Sequence, residues 1–273
     1  MRHEYYYYHK ERLLAAPKLP LAVMADDAAV FQTMAREMTE EIRRKNALGE
    51  RTVFICPVGP VGQYPYFVDI VNTEKISLKD VWFLNMDEYL TDGKAWIAKD
   101  HSLSFRGFMD RTVYGKIDPT LVMPEGQRLF PDPEDPENMW RTIQELGGVD
   151  ICFGGVGING HVAFNEAQDE LTPDRFRALP TRVLEISRET RTANAIGGLN
   201  GAVDDMPRWC VTIGMREICS ARKIRLGCFR DWHRAVVRHA AYGDVSAHFP
   251  VTLLQEHPDT LLRMTEFVAN LPE

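Results

Sequence analysis

The segment from Val149 to Glu166 reads VDICFGGVGINGHVAFNE and decides the fold. Its first five residues are mostly apolar, a pattern typical of a strand that is buried on both faces. The glycines that follow predict a tight turn, and His161 comes directly after them. This order predicts that polar side chains lie at the carboxyl end of a buried strand.

Strands and helices alternate along the rest of the chain. Short apolar runs predict further strands at Val53–Cys56, Val81–Met86, Val211–Gly214 and Ile224–Cys228. Helical spacing and capping residues predict helices that begin near Asp26, Tyr66, Pro136, Ser187 and Asp231. We therefore expect one α/β domain over residues 25–273, with a mostly parallel, doubly wound, Rossmann-like sheet and helices on both faces. Residues 1–24 are expected to form an N-terminal arm.

The composition favours a small diffusible substrate over a polymer. The 273 residues are 45% hydrophobic and carry a formal net charge of −7, which argues against nucleic-acid binding. No apolar run is long enough to span a membrane, and the opening MRHEYYYYHKER lacks the apolar core of a secretory signal. We expect a cytoplasmic protein with no nucleic-acid or membrane partner. The tyrosine-rich arm offers an interface, and we expect a homo-oligomer.

The cysteines argue against an oxidised or metal-binding protein. There are five, an odd number without a CxxC pair, and four of them lie in strand-like apolar surroundings. We therefore expect reduced core thiols and no metal site.

The turn Gly155–Gly160 matches the pattern GxGxxG after a strand, which raises the alternative of a dinucleotide-binding protein. That fingerprint opens directly into an amphipathic helix, whereas here the polar residues His161, Asn165 and Glu166 interrupt the pattern. The structural alternative is a turn that lets the backbone approach a neighbour, with His161 as a hydrogen-bonded core histidine. The residues of this turn alone leave a structural and a catalytic interpretation open.

Two longer motifs resemble one enzyme family. GGVGINGHVAFNEA at residues 154–167 resembles the pattern GGxGxDGHIAFNEP of the glucosamine-6-phosphate deaminase/isomerase family. NMDEY at residues 85–89 is similar to a second motif of that family, and smaller similarities follow in order between residues 25 and 260. The resemblance implies aldose–ketose isomerisation of an open-chain amino sugar, with deamination as a further step.

The resemblance also implies roles for individual residues. Asp87 would be the base that moves a proton from C2 to C1 of the open-chain sugar. His161 would move a proton during ring opening, and Glu166 would orient His161. No metal or organic cofactor is required by this chemistry. The other motif residues that the resemblance assigns to substrate binding are Glu88, Gly157, Gly160 and Asn165.

Asn159 departs from the family pattern, which has an aspartate two residues before the histidine. An amide oxygen accepts a hydrogen bond from an imidazole, but it cannot stabilise an imidazolium by charge. We therefore place Asn159 among the catalytic positions and expect isomerisation more firmly than deamination.

The predicted phosphate site departs further from the family pattern. The family loop reads PTGGTP or PTGSTP, whereas residues 57–62 read PVGPVG, so the hydroxyls are lost and Pro60 has no N–H to donate. Ile196 aligns with a family arginine, and a family lysine aligns with Arg234 or, one residue earlier, His233. Glucosamine 6-phosphate is therefore not the expected substrate. The positions assigned to this part of the site are Val58, Gly59, Pro60, Val61, Ile196, Arg230, His233 and Arg234.

Two other functions remain open at this point. A hydrolase of the 6-phosphogluconolactonase type would share the fold, but its pattern GxGPDGHTASLFP lacks the Asn165–Glu166 pair, and NMDEY also argues against it. A non-catalytic sugar-binding or regulatory homologue would fit the lost phosphate ligands. The presence of Asp87, His161 and Glu166 argues against that third function.

Overall fold

The computed structural model describes residues 3–272 and contains a seven-stranded parallel sheet. In spatial order its strands are β1 Leu21–Met24, β10 Thr260–Thr265, β9 Lys223–Cys228, β6 Ile151–Gly155, β2 Thr52–Cys56, β3 Val81–Asn85 and β5 Arg128–Leu129. The predicted α/β fold with a mostly parallel sheet is confirmed. The segment Ile151–Gly155 lies near the middle of this sheet, as its apolar pattern predicted.

Helices cover both faces of the sheet. They are α1 Lys10–Ala15, α2 Asp27–Ala47, α3 Gln63–Thr73, α4 Phe105–Met109, α5 Asn138–Leu146, α6 Pro173–Arg177, α7 Arg188–Gly198, α8 Met215–Cys219, α9 His233–Tyr242 and α10 Glu266–Ala269. Alternate residues of β2 enter different cores: Val53 and Ile55 pack with α5 and α9, whereas Phe54 and Cys56 pack with α2 and α3. The sheet is therefore buried on both sides.

Local signals predicted several helix boundaries. Asp26 caps α2, because its side chain accepts a hydrogen bond from the Ala29 N–H at 2.8 Å. The predicted starts at Pro136 and Asp231 are each two residues early, since α5 begins at Asn138 and α9 at His233.

A second, smaller sheet was not predicted. Its strands β4 Asp87–Leu90, β8 Trp209–Thr212 and β7 Arg182–Glu185 pair antiparallel in the order β4, β8, β7. Each strand has four residues, too few to establish a clear alternation in the sequence. Only Met86 separates β3 from β4, so Asp87 lies where the chain passes from one sheet to the other.

Strand β10 was also missed, because Arg263 interrupts its apolar pattern. Glu37 on α2 accepts hydrogen bonds from Arg263 at 2.6 Å and from Arg225 of the neighbouring strand at 2.7 Å. One carboxylate thus offsets the charge of two arginines in adjacent strands. This partner is distant in sequence, which is why the strand pattern looked broken.

The expected N-terminal arm packs against its own chain. The Arg238 guanidinium, fully buried on α9, donates to the Tyr8 carbonyl at 2.8 Å, and Lys10 pairs with Glu266 at 2.6 Å. The end of the range assigned to the arm needs correction, because Leu21–Met24 forms strand β1 and pairs with β10. Positions 1, 2 and 273 of the predicted ranges lie outside the described residues.

All five cysteines lie within the described residues and are free, and four of them are buried. Burial raises the pKa of the Cys56 and Cys228 thiols, which keeps them protonated. Among the helices of residues 3–272, none is long and apolar enough to cross a membrane.

Replacing Phe153 with alanine should destabilise the protein, because this fully buried β6 side chain packs edge-to-face on Phe54 with ring centroids 5.4 Å apart. We expect the free energy of unfolding to fall by about 3–5 kcal/mol in urea denaturation. Phe267→Ala is the control, since that side chain is 52% exposed and contacts mainly the Arg234 guanidinium. The free energy of unfolding of this control should fall by less than about 1 kcal/mol. Equal losses of unfolding free energy in the two variants would contradict the placement of Phe153 in the core.

Candidate active site

The carboxyl ends of four neighbouring strands, β9, β6, β2 and β3, open into a cavity of about 360 Å³. This is the edge where ligands bind in open α/β sheets. The lining residues from the strand-end loops are 57–60, 86, 87, 89, 155–157, 161, 163, 164, 227, 229, 230, 232 and 233. Residues 102–108 and one side of α7 form the opposite wall. Asp87 and His161, the two predicted proton carriers, both line this cavity.

Asp87 presents an unpaired carboxylate to the cavity. The residue is only 7% exposed, and its side chain accepts no hydrogen bond from any residue between positions 3 and 272. Burial, with a smaller contribution from the negative charge of Glu88, raises the pKa of Asp87 to about 8. A carboxylate that is poorly solvated and unpaired is a stronger base than an ordinary surface aspartate.

Glu88 was predicted to bind substrate, and the structure corrects this. It is fully buried and does not line the cavity. Its carboxylate accepts hydrogen bonds from the Ser104 hydroxyl at 2.8 Å and from the N–H groups of Phe105 and Arg106 at 3.0 and 2.9 Å. The Arg106 guanidinium adds a salt bridge at 3.2 Å. Glu88 therefore caps α4 and fixes the cavity wall, because helix N-termini stabilise negative charge.

His161 is oriented by Asn159, and Glu166 acts through that amide. The Asn159 Oδ1 lies 2.6 Å from the His161 Nδ1, whereas the Glu166 Oε2 is 3.7 Å from the same nitrogen. The Asn159 Nδ2 donates to the Glu166 Oε2 at 2.7 Å. Since the amide nitrogen faces the carboxylate, the amide oxygen must face the imidazole. His161 then carries its proton on Nδ1 and leaves the Nε2 lone pair free.

The electrostatics keep His161 neutral. Burial lowers the pKa of His161 below its usual 6.5, and the nearby Glu166 carboxylate opposes this shift. A neutral imidazole with a free Nε2 can accept a proton and return it. The ring packs so closely on Gly157 that a Cβ at this position would clash with it. Gly157 therefore sets the position of the imidazole.

The glycine turn does not build a dinucleotide site. After Gly160 the chain forms an irregular loop, and the next helix, α6, begins only at Pro173. The turn thus lacks the helix N-terminus that holds a pyrophosphate in the dinucleotide fingerprint. Gly160 was assigned to substrate binding, but it has a φ of 83° and packs on Phe249 away from the cavity lining. Its role is to allow the left-handed turn.

Asn165 is another structural residue among the predicted binding positions. It is fully buried outside the cavity lining, and its Nδ2 donates to the carbonyls of Val162 and Ile213, both at 2.9 Å. Its Oδ1 accepts from Arg182 at 2.8 Å. Asn165 therefore ties the loop that carries His161 to the chain that follows β8.

The predicted anion-binding residues are only partly brought together. Val58, Gly59, Pro60 and Arg230 line the cavity. Val61 instead packs into the core beside α2 and α3. Ile196 is 70% exposed and does not line the cavity, so it makes no contact there.

His233 lines the cavity, but both of its ring nitrogens are already used. Its Nδ1 accepts from the N–H groups of Phe229 and Arg230 at 2.9 and 2.8 Å, and its Nε2 lies 3.0 Å from the Val156 carbonyl, to which it donates. Burial lowers the pKa of His233 to about 4, so the ring is neutral. Arg234 turns away, pairing with Asp231 and donating to carbonyls near the end of α10. Neither residue supplies a cation to the cavity.

Tyr89 is a cavity residue that the sequence analysis did not single out. It lies two positions after Asp87 on β4, so both side chains project from the same face of the strand. The Tyr89 hydroxyl accepts a hydrogen bond from the Asn194 Nδ2 at 3.1 Å, and burial raises its pKa. Its own proton therefore remains available for donation. The two-residue spacing from Asp87 was the signal in the sequence.

Comparisons with known proteins identify the family of the chain. No protein-family model matches the chain. A glucosamine-6-phosphate deaminase from Clostridium perfringens is 30% identical over 256 residues, covering 92% of this chain and 98% of that protein. The chain belongs to the glucosamine-6-phosphate deaminase family. A relative of the same name from Caenorhabditis elegans is 29% identical over 258 residues, covering 93% and 89% of the two chains.

Solved structures place this deaminase-family chain in the same fold. A monomeric glucosamine-6-phosphate deaminase superposes with a TM-score of 0.78 at 25% identity, covering 92% of this chain and 99% of that chain. A 6-phosphogluconolactonase from Trypanosoma cruzi gives a TM-score of 0.63 at 15% identity, covering 93% and 97%. The lactonase similarity concerns the fold alone.

Within this deaminase family member, Asn159→Asp should raise the pKa of His161 and accelerate ring opening or deamination. The introduced carboxyl group and Glu166 would share one proton, and the remaining negative charge would lie closer to the imidazole Nδ1. NMR titration of His161 measures its pKa. Ammonia release from an amino sugar that the unaltered protein turns over measures the rate of deamination. Asn159→Gln is the control, because it keeps the amide without adding charge. An unchanged or lower rate in Asn159→Asp would contradict this role.

Proposed function

We propose that the protein is an amino-sugar isomerase of the deaminase type, acting on an open-chain 2-amino aldose. The observation that carries the proposal is the unpaired Asp87 carboxylate, which shares one cavity with the neutral His161 imidazole. Two groups that exchange protons near neutral pH can serve ring opening and proton transfer between carbons. Membership of the deaminase family supports the same chemistry.

Ring opening is the step assigned to His161. Its free Nε2 takes the proton from O1 of the cyclic sugar and delivers it to the ring oxygen, which breaks the C1–O5 bond and forms the C1 aldehyde. The transient imidazolium is stabilised by Asn159 as a hydrogen-bond acceptor and by Glu166 at 3.7 Å. No net proton is gained or lost in this step.

Isomerisation is the step assigned to Asp87. Its carboxylate removes the proton from C2 while the aldehyde oxygen gains one, which gives an enolamine; Asp87 then delivers its proton to C1 as the amino nitrogen loses one. This leaves an imine at C2. Addition of water to that imine releases ammonia, so an amino aldose and water give a ketose and ammonia. Asn159 stabilises positive charge less than an aspartate would, which makes isomerisation the firmer part of the proposal.

The expected homo-oligomer remains a prediction. The first tyrosines, which were expected to offer an interface, are partly engaged within the chain, since the Tyr6 hydroxyl bonds the His239 Nδ1 at 2.7 Å. Tyr7 remains 59% exposed. A solved relative of 25% identity is described as monomeric.

Asp87→Asn should abolish turnover while leaving sugar binding in place. A panel of free and phosphorylated amino sugars, followed by ammonia release and by solvent-deuterium incorporation at C1 and C2, measures the reaction. We expect turnover to fall at least about a hundredfold, because the amide cannot accept the proton. Asp92→Asn is the matched control, since Asp92 is exposed just beyond β4.

Other outcomes of the same panel favour the alternatives. Hydrolysis of a sugar lactone without any C2 exchange would favour the hydrolase. Binding of a sugar without turnover in the unaltered protein would favour the regulatory homologue. Either result would contradict the proposed isomerase.

The reaction should depend on the ionisation of Asp87. Because burial raises the pKa of Asp87 to about 8, kcat/KM should rise roughly tenfold per pH unit below that value and level off above it. The raised pKa also affects folding. Between the pKa of an acid in the unfolded chain and its higher pKa in the folded protein, the folded state holds the proton more strongly, so the free energy of unfolding falls as pH rises. Asp87→Asn should therefore gain stability relative to the unaltered protein between about pH 4 and about pH 8. If kcat/KM instead levelled off near pH 4, the assignment of Asp87 as the base would be contradicted.

A further inference from the structure

The cavity that Asp87 lines is also lined by the Pro57–Pro60 loop, Phe229 and Trp232. We infer that the substrate is an amino sugar whose terminal carbon carries no phosphate or other dianionic group. This rests on the proposed function and extends it from the reacting carbons to the far end of the sugar. Charge, hydrogen-bond donors and shape each support it.

The charges of the cavity do not match a phosphate. Its basic lining residues are His161, Arg230 and His233. His161 is held neutral, and both nitrogens of the His233 ring are occupied by backbone groups. Arg230 is then the one permanent cation among the lining residues within positions 3–272, and its side chain is largely exposed to solvent. One exposed guanidinium offers little compensation for a dianion that leaves water.

The loop after β2 offers few donors. Pro57 and Pro60 have no N–H, and Val58 contributes an apolar side chain to the lining. Two hydrogen bonds hold the loop in place. The Tyr64 hydroxyl donates to the Pro57 carbonyl, and the Gln63 amide donates to the Pro60 carbonyl at 2.9 Å. The N–H groups of Val58 and Gly59 are the backbone donors left among residues 57–60, and none of these four side chains carries an N–H or O–H group.

Aromatic rings occupy the approach to the N-terminus of α3, and the N–H of His233 at the start of α9, which does border the cavity, already donates to the Arg230 carbonyl at 3.0 Å. Gly62 is the N-cap of α3, and the Phe31 ring packs against it so closely that a Cβ there would clash. The Phe31 ring contacts Phe229 edge-to-face, with centroids 4.9 Å apart. Neither Gly62 nor Gln63 lines the cavity. The α3 N-terminus, which would favour an anion, is thus separated from the bound sugar.

An uncharged sugar end suits these surroundings. A terminal hydroxymethyl or methyl group can pack on Val58 and Pro60 without losing the solvation of a charge. Phe229 and Trp232 add apolar surface beside it. The fitting class is an unphosphorylated 2-amino sugar, including one that lacks the terminal hydroxyl.

Calorimetry with two open-chain alcohols tests this inference. The probes are 2-amino-2-deoxyglucitol and its 6-phosphate, which lack the C1 carbonyl and cannot isomerise. We expect the unphosphorylated probe to bind more tightly, by about tenfold. Binding of the 6-phosphate as tightly or more tightly would overturn the inference, and so would a failure of the unphosphorylated probe to bind.

Competition provides a second measurement. Inorganic phosphate should leave the affinity for 2-amino-2-deoxyglucitol unchanged relative to sodium chloride at equal ionic strength, and competitive displacement by phosphate would overturn the inference. Neither measurement needs turnover. A failure of the proposed reaction would appear separately, as the absence of C2 exchange with every sugar in the panel.

Discussion

The site depends on a carboxylate that the fold buries without giving it a partner. Asp87 begins β4 at the junction of the two sheets, where its backbone is held by pairing with Thr212. Its side-chain oxygens face the cavity, and burial makes the charged form costly, which explains the raised pKa. The adjacent Glu88 has the opposite environment, with several donors and a salt bridge. Two neighbouring acids thus have different environments: Glu88 holds the cavity wall, and Asp87 is the base in the proposed reaction.

His161, the second proton carrier of the proposed reaction, is positioned by neutral as well as charged groups. Asn159 is polarised by Glu166 and accepts from the His161 Nδ1, so the orientation of one amide selects the tautomer of the imidazole. Gly157 fixes the ring from the other side. An imidazole in this tautomer suits the transfer of a proton within the sugar. The same amide stabilises an imidazolium less than a carboxylate would, which is why the proposed function favours isomerisation over deamination.

The sequence predicted the α/β fold and the cavity edge because both follow from local patterns. Buried strands such as Ile151–Gly155 are recognisable by continuous apolar residues, and their carboxyl ends must meet at one edge of a parallel sheet. Strand β10 was not predicted, because the charge of its Arg263 is offset by Glu37, a partner distant in the chain. The small sheet was not predicted because its strands are short, although the strand expected at Val211–Gly214 overlaps β8.

Residue roles in the site were less predictable than residue positions. His233 and Arg234 looked like cations, yet one is saturated by backbone groups and the other pairs with Asp231. Glu88 and Asn165 lie in recognisable motifs but hold the walls of the cavity in place. Tertiary partners decide such roles, and these partners cannot be read from spacing.

A crystal structure with 2-amino-2-deoxyglucitol bound tests the central claim most directly. We expect the Asp87 carboxylate to lie within about 3.5 Å of C1 and C2, a distance suited to proton transfer. We also expect the terminal carbon to pack on Val58 and Pro60. A sugar bound in the reverse direction, or an Asp87 side chain turned away from the carbons and held by donors, would contradict the account.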